Sequence, residues 1–176
     1  MAQNKPHTIY TIGHSTHSIE EFISMLSSFS VQRLADIRRF PGSRKYPQFN
    51  KQNLEQSLPE HGIGYSHIEL LGGRRPVKKD SPNSRWRSKS FRGYADYMQT
   101  AEFKKGVAEL ENLATKEIVA YMCSEAVWWR CHRSMVSDYL KAKGWNVEHI
   151  MAVNKEEEHP YTSPARVVDG EVFYND

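Results

Sequence analysis

The sequence lacks any apolar run of the roughly 18 to 20 residues that a membrane-spanning helix requires, so we expect no membrane protein. It has only two cysteines among 176 residues, too few for a disulfide framework. We therefore expect a reduced, cytoplasmic protein. The polar segment from Met1 to His7 leads at once into a strand-like segment and shows no secretory signal. A single Cys123–Cys131 disulfide is the alternative, which the absence of an export signal disfavours.

Acidic residues are almost missing from two segments, 37–54 and 74–92. Together these segments contain thirteen lysines and arginines but one aspartate, although the net charge of the whole chain is only +3. The remaining residues are therefore net acidic. Charge separated in this way indicates an anionic partner, and the alternative is that both segments are solvated surface loops.

Strand-like and helix-like segments alternate along the chain. Apolar and β-branched runs predict strands at 8–12, 31–37, 63–70, 118–122 and 145–151. Helical spacing and capping residues predict helices after Ser18 and Asn50 and over 91–98, 101–114 and 131–143. We therefore predict an α/β fold in one compact domain over residues 1–176. Its mainly parallel sheet would have about five strands flanked by helices, with a C-terminal hairpin at 166–174.

Parallel strands joined by right-handed crossovers place every strand-to-helix loop at the same edge of the sheet. Here those loops are residues 13–15, 36–47, 72–92 and 123–133. Both basic segments and the cysteine-containing loop would then converge at one end of the sheet. This convergence favours a binding site over unrelated surface loops.

The loop 123–133 contains the side chains most suited to chemistry, namely Cys123, Glu125, Arg130, Cys131, His132 and Arg133. The cationic neighbours of Cys131 and its place at a helix N-terminus would lower its pKa and favour the nucleophilic thiolate. Two alternatives stay open. The cysteines could be inert and buried, or they could bind a metal with His132 and either His14 or His149, although Cys-x7-Cys-His is not a usual zinc spacing.

A comparison with cysteine phosphatases fails on spacing. Their loop has an arginine after five intervening residues, whereas that position after Cys123 is Trp129, and Arg130 follows one residue later. A phosphatase or sulfurtransferase of that type is therefore disfavoured. Of the adjacent Trp128 and Trp129, we expect one in the core and the other free to stack on a ring, since neighbouring residues usually face different ways.

The other loops supply further candidates. Gly13 and Ser15 would let backbone amides approach an anion, and His14 would act as a general acid or base. Asp36 and Arg38 project to the same side of a strand end, so Asp36 would orient the guanidinium toward a phosphate or carboxylate; the alternative is a purely structural ion pair. Arg44 would add a second anion-binding cation.

Several ordered motifs of this chain resemble the bacterial and archaeal domain-of-unknown-function family 488, over about residues 8–162. They are Thr11-Ile12-Gly13-His14-Ser15, Asp36-Ile37-Arg38, Pro41-Gly42-Ser43-Arg44, Leu71-Gly72-Gly73, Phe91-Arg92-Gly93-Tyr94 with Tyr97-Met98, Cys123-x-Glu125 with Cys131-His132-Arg133, and the later His149-Ile150 and His159-Pro160. Asp-Ile-Arg replaces the family's usual Asp-Val-Arg and leaves the arginine in place. The resemblance implies a compact α/β domain with these motifs around one pocket, and it implies no particular substrate.

These observations favour an uncharacterised enzyme-like domain that binds an anionic, phosphate-bearing ligand, either a nucleotide or a nucleic acid. His14, Glu125 and His132 would transfer protons, with Cys131 or Cys123 as the nucleophile. The alternatives are a nucleic-acid-binding module without catalysis and a metalloprotein that uses Cys123, Cys131 and His132. The sequence specifies neither a cofactor nor an oligomeric state.

Overall fold

The structure of the protein is a computed structural model that describes residues 7–176. Six strands form one sheet in the order β3-β2-β4-β1-β5-β6, and two more form a separate antiparallel hairpin. The strands are β1 (Thr8–Gly13), β2 (Arg33–Asp36), β3 (Gly64–His67), β4 (Val119–Cys123), β5 (Asn146–Ala152), β6 (Lys155–Glu158), β7 (Arg166–Val168) and β8 (Glu171–Phe173). Residues 1–6, on which the expectation of no secretory signal chiefly rests, lie outside this range.

The predicted α/β class is confirmed. Strands β1 to β5 all pair in parallel, and only β6 is antiparallel to its neighbour β5. The predicted C-terminal hairpin is present as β7 and β8, joined by Asp169 and Gly170 with positive φ angles. These two residues occupy the turn because left-handed backbone favours glycine and tolerates aspartate.

Five helices in the described part of the chain connect and cover the strands. They are α1 (Ile19–Ser28), α2 (Lys51–Ser57), α3 (Lys89–Tyr97), α4 (Ala101–Lys116) and α5 (Arg133–Ala142). The side chains of Ser18, Ser88 and Thr100 accept hydrogen bonds from the first turns of α1, α3 and α4, which is why these helices begin where they do. Asn50 stands before α2 as predicted, but its side chain accepts the Ser43 N–H at 2.6 Å instead of capping the helix.

The sequence pattern did not reveal the edge strand β6. Its residues, Lys155–Glu158, are all exposed and carry no apolar alternation, so nothing in the segment resembles a half-buried strand. Charged side chains on an edge strand discourage pairing with another chain. The predicted third strand is also shorter than expected, because a 3-10 turn at Glu69–Leu71 replaces its second half.

The sheet buries an apolar core on each face. Residues of α3, α4 and α5, among them Tyr94, Phe103 and Leu140, cover one face. Residues of α1 and α2, among them Phe22, Leu26 and Leu54, cover the other. The central strand β4 is wholly buried, and β1 and β2 are buried at most positions, as expected for parallel strands covered on both faces. Within residues 7–176, every helix is too short or too polar to cross a bilayer.

Candidate functional site

A cavity of about 700 Å³ opens at the carboxyl edge of the sheet. All four strand-to-helix loops contribute to its wall, as the topology predicted. The lining includes His14, Ser15, Arg38, Arg39, Phe40, Lys45, Tyr46, Gly73, Arg74, Phe91, Tyr94, Cys123, Glu125, Arg130, Cys131 and His132. Of the predicted site residues, Gly13, Asp36, Arg44 and Arg133 do not line the cavity.

Asp36 and Arg38 form the pair that their spacing predicted. Arg38 donates from Nε to Asp36 Oδ1 at 2.9 Å and from Nη2 to Asp36 Oδ2 at 2.7 Å. The same Nη2 also donates to the carbonyl of Phe49 at 2.6 Å, and the Tyr65 hydroxyl donates to Asp36. Because both partners are buried, this bidentate pair fixes the guanidinium rigidly against the cavity wall.

Four other cations line the cavity without such compensation. They are Arg39, Lys45, Arg74 and Arg130. None of them lies within ion-pair distance of a carboxylate in the described part of the chain. Among the described residues, Glu125 is the single carboxylate in the cavity wall. The cavity is therefore electropositive, and an anion would find unpaired donors there.

Cys131 lies immediately before the residue that caps α5. Its sulfur accepts the backbone N–H of Arg133, the first residue of that helix, at 3.4 Å. Burial alone would raise the pKa of the Cys131 thiol, but a hydrogen bond from Cys123 and the charge of Arg133 outweigh it, so the pKa is lowered. Burial raises the pKa of Cys123 well above its ordinary value. The two thiols therefore differ, and Cys131 is the one prepared to ionise.

His132 places one ring nitrogen beside that sulfur. Its Nε2 lies 3.2 Å from the carbonyl oxygen of Ile37, which can only accept, so Nε2 carries a proton. Its Nδ1 lies 3.5 Å from the sulfur of Cys131. Gly73 keeps this side of the ring open, since a Cβ there would be 3.0 Å from Nδ1. Burial lowers the pKa of His132, so the neutral ring can accept the Cys131 proton.

Arg133 is a buried cation that has no carboxylate partner among residues 7–176. Its side chain is 1% exposed, and Nη2 donates to the main-chain carbonyl of Glu125 at 3.3 Å. Its Nε has no hydrogen-bond partner within residues 7–176. Burying an uncompensated charge is costly, which makes a negative charge nearby favourable. The Cys131 thiolate supplies such a negative charge. Burial raises the pKa of the Cys131 thiol, but the charge of Arg133 helps to lower it overall.

His14 faces the cavity as a neutral base. Its ring stacks on Phe49 with centroids 4.4 Å apart, and Nδ1 donates to the carbonyl of Ser15 at 3.0 Å. Burial, helped by the charge of Arg38, lowers the pKa of His14 to about 4. With Nδ1 occupied, Nε2 is the ring nitrogen that keeps a free lone pair, and the ring stays neutral near neutral pH.

Position 13 requires glycine because of close backbone packing, whereas the sequence suggested that this glycine lets an anion approach. A Cβ at this position would lie 1.7 Å from the main-chain oxygen of Glu125, so glycine lets the loop after β4 pack onto the end of β1. The same oxygen lies 3.9 Å from the sulfur of Cys123 and accepts from Arg133. Ser15, with φ of 46°, donates its backbone N–H to the carbonyl of Ser124. Arg44 is exposed and lies outside the cavity wall.

The tryptophan pair divides as predicted. Trp129 is 50% exposed, whereas Trp128 is buried with its ring stacked on His149 at 4.8 Å. His149 belongs to a buried chain of hydrogen bonds in which its Nε2 meets His159 Nδ1 at 2.8 Å and His159 Nε2 meets Asp138 Oδ1 at 2.8 Å. This network anchors Trp128, and with it the loop that carries Arg130 and Cys131.

The metal-binding alternative has no geometric support. Within the described residues, no group of three or more histidine, cysteine, aspartate or glutamate side chains is arranged to hold a metal ion. His149 is turned toward His159 and Thr11, away from any such set.

Sequence reasoning did not single out Arg39, Lys45 and Arg74, or Phe40 and Tyr46 of the aromatic wall, whereas Phe91 and Tyr94 of that wall belong to a motif that it named. The only available signal was the collective excess of positive charge in the two basic segments. The second of these segments also has a structural function, because the Asp96 carboxylate accepts hydrogen bonds from Lys78 N, Ser81 and Asn83.

A protein-family model, described as a domain of unknown function, DUF488, matches residues 18–140. The match covers well over half of the chain, and the chain belongs to this family. It includes Asp36, Arg38 and the whole cysteine-containing loop, whereas Gly13, His14 and Ser15 precede it. Searches of curated proteins and of solved structures gave no match.

Proposed function

We propose that this protein is an enzyme that binds a phosphate-bearing anion, a nucleotide or a nucleic-acid end, in the cavity at the carboxyl edge of the sheet. Cys131 would act as the nucleophile. Arg39, Arg74 and Arg130 would hold the anion, and Arg38, fixed by Asp36, would orient it.

A single juxtaposition carries the proposal. The cavity brings four cations without carboxylate partners to the same space as a cysteine with a lowered pKa and an adjacent neutral imidazole. Unpaired cations repel one another and gain most when an anion neutralises them. Arg39 is half-buried, and Lys45, Arg74 and Arg130 are exposed at the rim, so an entering anion meets all four.

The proposed chemistry uses each group in the protonation state that its surroundings favour. His132 Nδ1 accepts the Cys131 proton, and the thiolate attacks an electrophilic atom of the bound ligand. As the new bond to sulfur forms, the leaving group departs with the electron pair of its old bond. His14 Nε2 then accepts a proton from a water molecule, whose oxygen displaces the Cys131 sulfur. Glu125, in the cavity wall, would receive protons from His14 and pass them to solvent.

Calorimetric titration with inorganic phosphate and with a nucleoside monophosphate tests the binding step. We expect both probes to bind the wild-type protein, with the nucleotide tighter because Phe40, Tyr46 and Phe91 offer ring faces. Replacing Arg130 by glutamine should weaken binding about tenfold, since a charge-assisted hydrogen bond contributes about 1.5 kcal/mol. Lys105→Gln, which removes an exposed charge from α4 outside the cavity, is the matched control and should leave binding unchanged.

Equal weakening by Arg130→Gln and Lys105→Gln would contradict the proposed site, because it would mean that only the overall charge matters. Once the titration identifies a bound nucleotide, its turnover can be followed. Cys131→Ser and His132→Ala should then abolish turnover while binding and folding persist. Full activity in both variants would contradict the nucleophile assignment.

A second candidate function is nucleic-acid binding without catalysis. It is favoured by Phe40 and Trp129, two aromatic side chains that are 63% and 50% exposed beside the cationic loops. Exposed rings of this kind stack on unpaired bases, and lysines and arginines contact the phosphates. This function predicts that a single-stranded oligonucleotide binds with a steep salt dependence, that Trp129→Ala weakens the binding, and that Cys131→Ser does not.

A further inference from the structure

The two cysteines, eight positions apart in sequence, line the same cavity, and both are free thiols. Cys123 is close enough to Cys131 to act on its ionisation, and together with Arg133 it overcomes the effect of burial on the Cys131 pKa. Neither thiol is free on the outer surface, since Cys123 is 2% and Cys131 is 7% exposed. A reagent can therefore reach them only through the cavity.

We propose that Cys131 and Cys123 form a peroxide-reactive dithiol, in which Cys131 is the attacking and Cys123 the resolving cysteine of a reversible intramolecular disulfide. This inference concerns a reaction of the protein itself and needs no bound phosphate. It differs from a structural disulfide, because the fold holds both residues as thiols.

The surroundings of the two sulfurs suit these different roles. Cys131 accepts the N–H at the start of α5, has Nδ1 of His132 at 3.5 Å and lies beside the buried cation of Arg133. Cys123 instead points to the main-chain oxygen of Glu125 at 3.9 Å, which favours the protonated thiol. An attacking thiolate paired with a protonated resolving thiol is the arrangement that thiol oxidation requires.

The proposed reaction has two steps. The Cys131 thiolate attacks one oxygen of hydrogen peroxide, the O–O bond breaks, and the products are the sulfenic acid of Cys131 and hydroxide. The hydroxide takes the Cys123 proton, and the resulting sulfur attacks the sulfur of Cys131. The S–O bond then breaks, the S–S bond forms, and the departing hydroxide becomes water when it takes a proton from solvent. The two cysteines lose two electrons in total, which reduce one peroxide to two waters.

The cavity also sets the size of the oxidant. Its volume of about 700 Å³ admits hydrogen peroxide easily. The nearly complete burial of both sulfurs excludes a bulky reagent such as a protein disulfide or an aromatic disulfide. Reduction in the test should accordingly use a small dithiol, such as dithiothreitol.

The test is peroxide titration of the full-length protein, followed by intact mass measurement and non-reducing peptide mapping. We expect the wild-type mass to fall by about 2 Da, with a peptide joining Cys123 to Cys131, and dithiothreitol should restore the original mass. Cys123→Ser should stop at a sulfenic acid on Cys131, about 16 Da heavier, that a sulfenic-acid trap captures. Cys131→Ser should not react at the same peroxide concentration.

Two results would overturn the proposal. One is that the wild-type protein keeps both thiols at peroxide concentrations that oxidise the urea-unfolded chain. The other is a wild-type sulfenic acid that persists without closing a disulfide. The measurement contains no phosphate or nucleotide, so its failure is distinct from a failure of the proposed function, and either can occur alone. Circular dichroism of both serine variants checks that the fold is retained.

Discussion

The sulfur of Cys131 and the Nδ1 of His132 lie 3.5 Å apart, although neighbouring side chains usually point in different directions. The backbone explains the contact, since Cys131 is extended with φ of −140° and His132 is already helical with φ of −57°. The chain turns into α5 between them and brings both side chains to the cavity. The hydrogen bond of His132 to Ile37 then fixes which ring nitrogen faces the sulfur.

We predict that the two cysteines differ sharply in reactivity toward a small alkylating reagent. Burial raises the pKa of Cys123, whereas that of Cys131 is lowered from 9.0, because its hydrogen bond from Cys123 and the charge of Arg133 outweigh burial. Iodoacetamide should therefore modify Cys131 first, with a half-maximal rate below pH 9.0. Peptide mapping across a pH series measures both rates.

The control for this prediction is the urea-unfolded chain, in which both cysteines should react at similar rates with an ordinary pH dependence. If the folded protein also modified both residues equally, the asymmetry between the two thiols would be disproved.

We predict that His14 makes the protein less stable in acid. Burial and Arg38 lower the pKa of folded His14 to about 4, from 6.5 in the unfolded chain. Between these values the unfolded chain binds more protons, so the free energy of unfolding falls as the pH drops through this range. Urea denaturation from pH 7 to pH 4 should give a shallower decline for His14→Gln than for the wild-type protein.

His61→Gln, which replaces an exposed imidazole, is the matched control and should keep the wild-type decline. His149, whose pKa burial lowers to about 2, leaves part of the decline in every variant. An unchanged slope in His14→Gln would mean that this histidine ionises normally in the folded protein.

We predict that Asp36→Asn is strongly destabilising, by about 3 to 5 kcal/mol, because it leaves the buried guanidinium of Arg38 without its counter-charge. The double variant Asp36→Asn with Arg38→Met should recover part of this loss, since no unpaired charge remains. Chemical denaturation measures both.

Glu21→Gln breaks an exposed pair with His17 and should change stability by less than about 1 kcal/mol. If Asp36→Asn lowered the free energy of unfolding no more than Glu21→Gln does, the buried Asp36–Arg38 pair would be worth no more to stability than an exposed pair.

We predict that Gly13→Ala destabilises the protein by about 3 kcal/mol or more, because the new methyl group would collide with backbone at Glu125. Displacing that carbonyl would also move the acceptor used by Arg133. Thermal denaturation gives the stability change, and the iodoacetamide rate of Cys131 reports the displacement of the loop.

Gly42→Ala provides the comparison in the same cavity wall. The atom nearest to a Cβ added at position 42 is the side-chain oxygen of Asn50 at 3.9 Å, which is an ordinary van der Waals contact. This variant should be close to wild type in both measurements. If Gly13→Ala and Gly42→Ala had similar stabilities and Cys131 alkylation rates, the loop that contains Glu125 would be able to move away from a side chain at position 13 at little cost.

The sequence alone predicted most of the secondary structure. Strand β4 and helix α4 were clear because buried strands and amphipathic helices leave strong periodic patterns over their whole length. The acidic strand β6 was missed, because an exposed edge strand is held by backbone pairing with β5 and needs no apolar side chains. The reason for glycine at position 13 was also hidden, since its close neighbour Glu125 is more than a hundred residues away in sequence.

What the sequence by itself determined is the α/β class, the edge at which the loops meet, the Asp36–Arg38 pair and the cationic surroundings of Cys131. Each of these follows from strand and helix periodicity or from residues that are close in the chain. Only the tertiary structure decided which cations lack a carboxylate, that Arg133 is a buried charge, and that Cys123 is the thiol whose pKa burial raises. Charge balance and burial depend on contacts between distant segments, and local sequence does not encode those contacts.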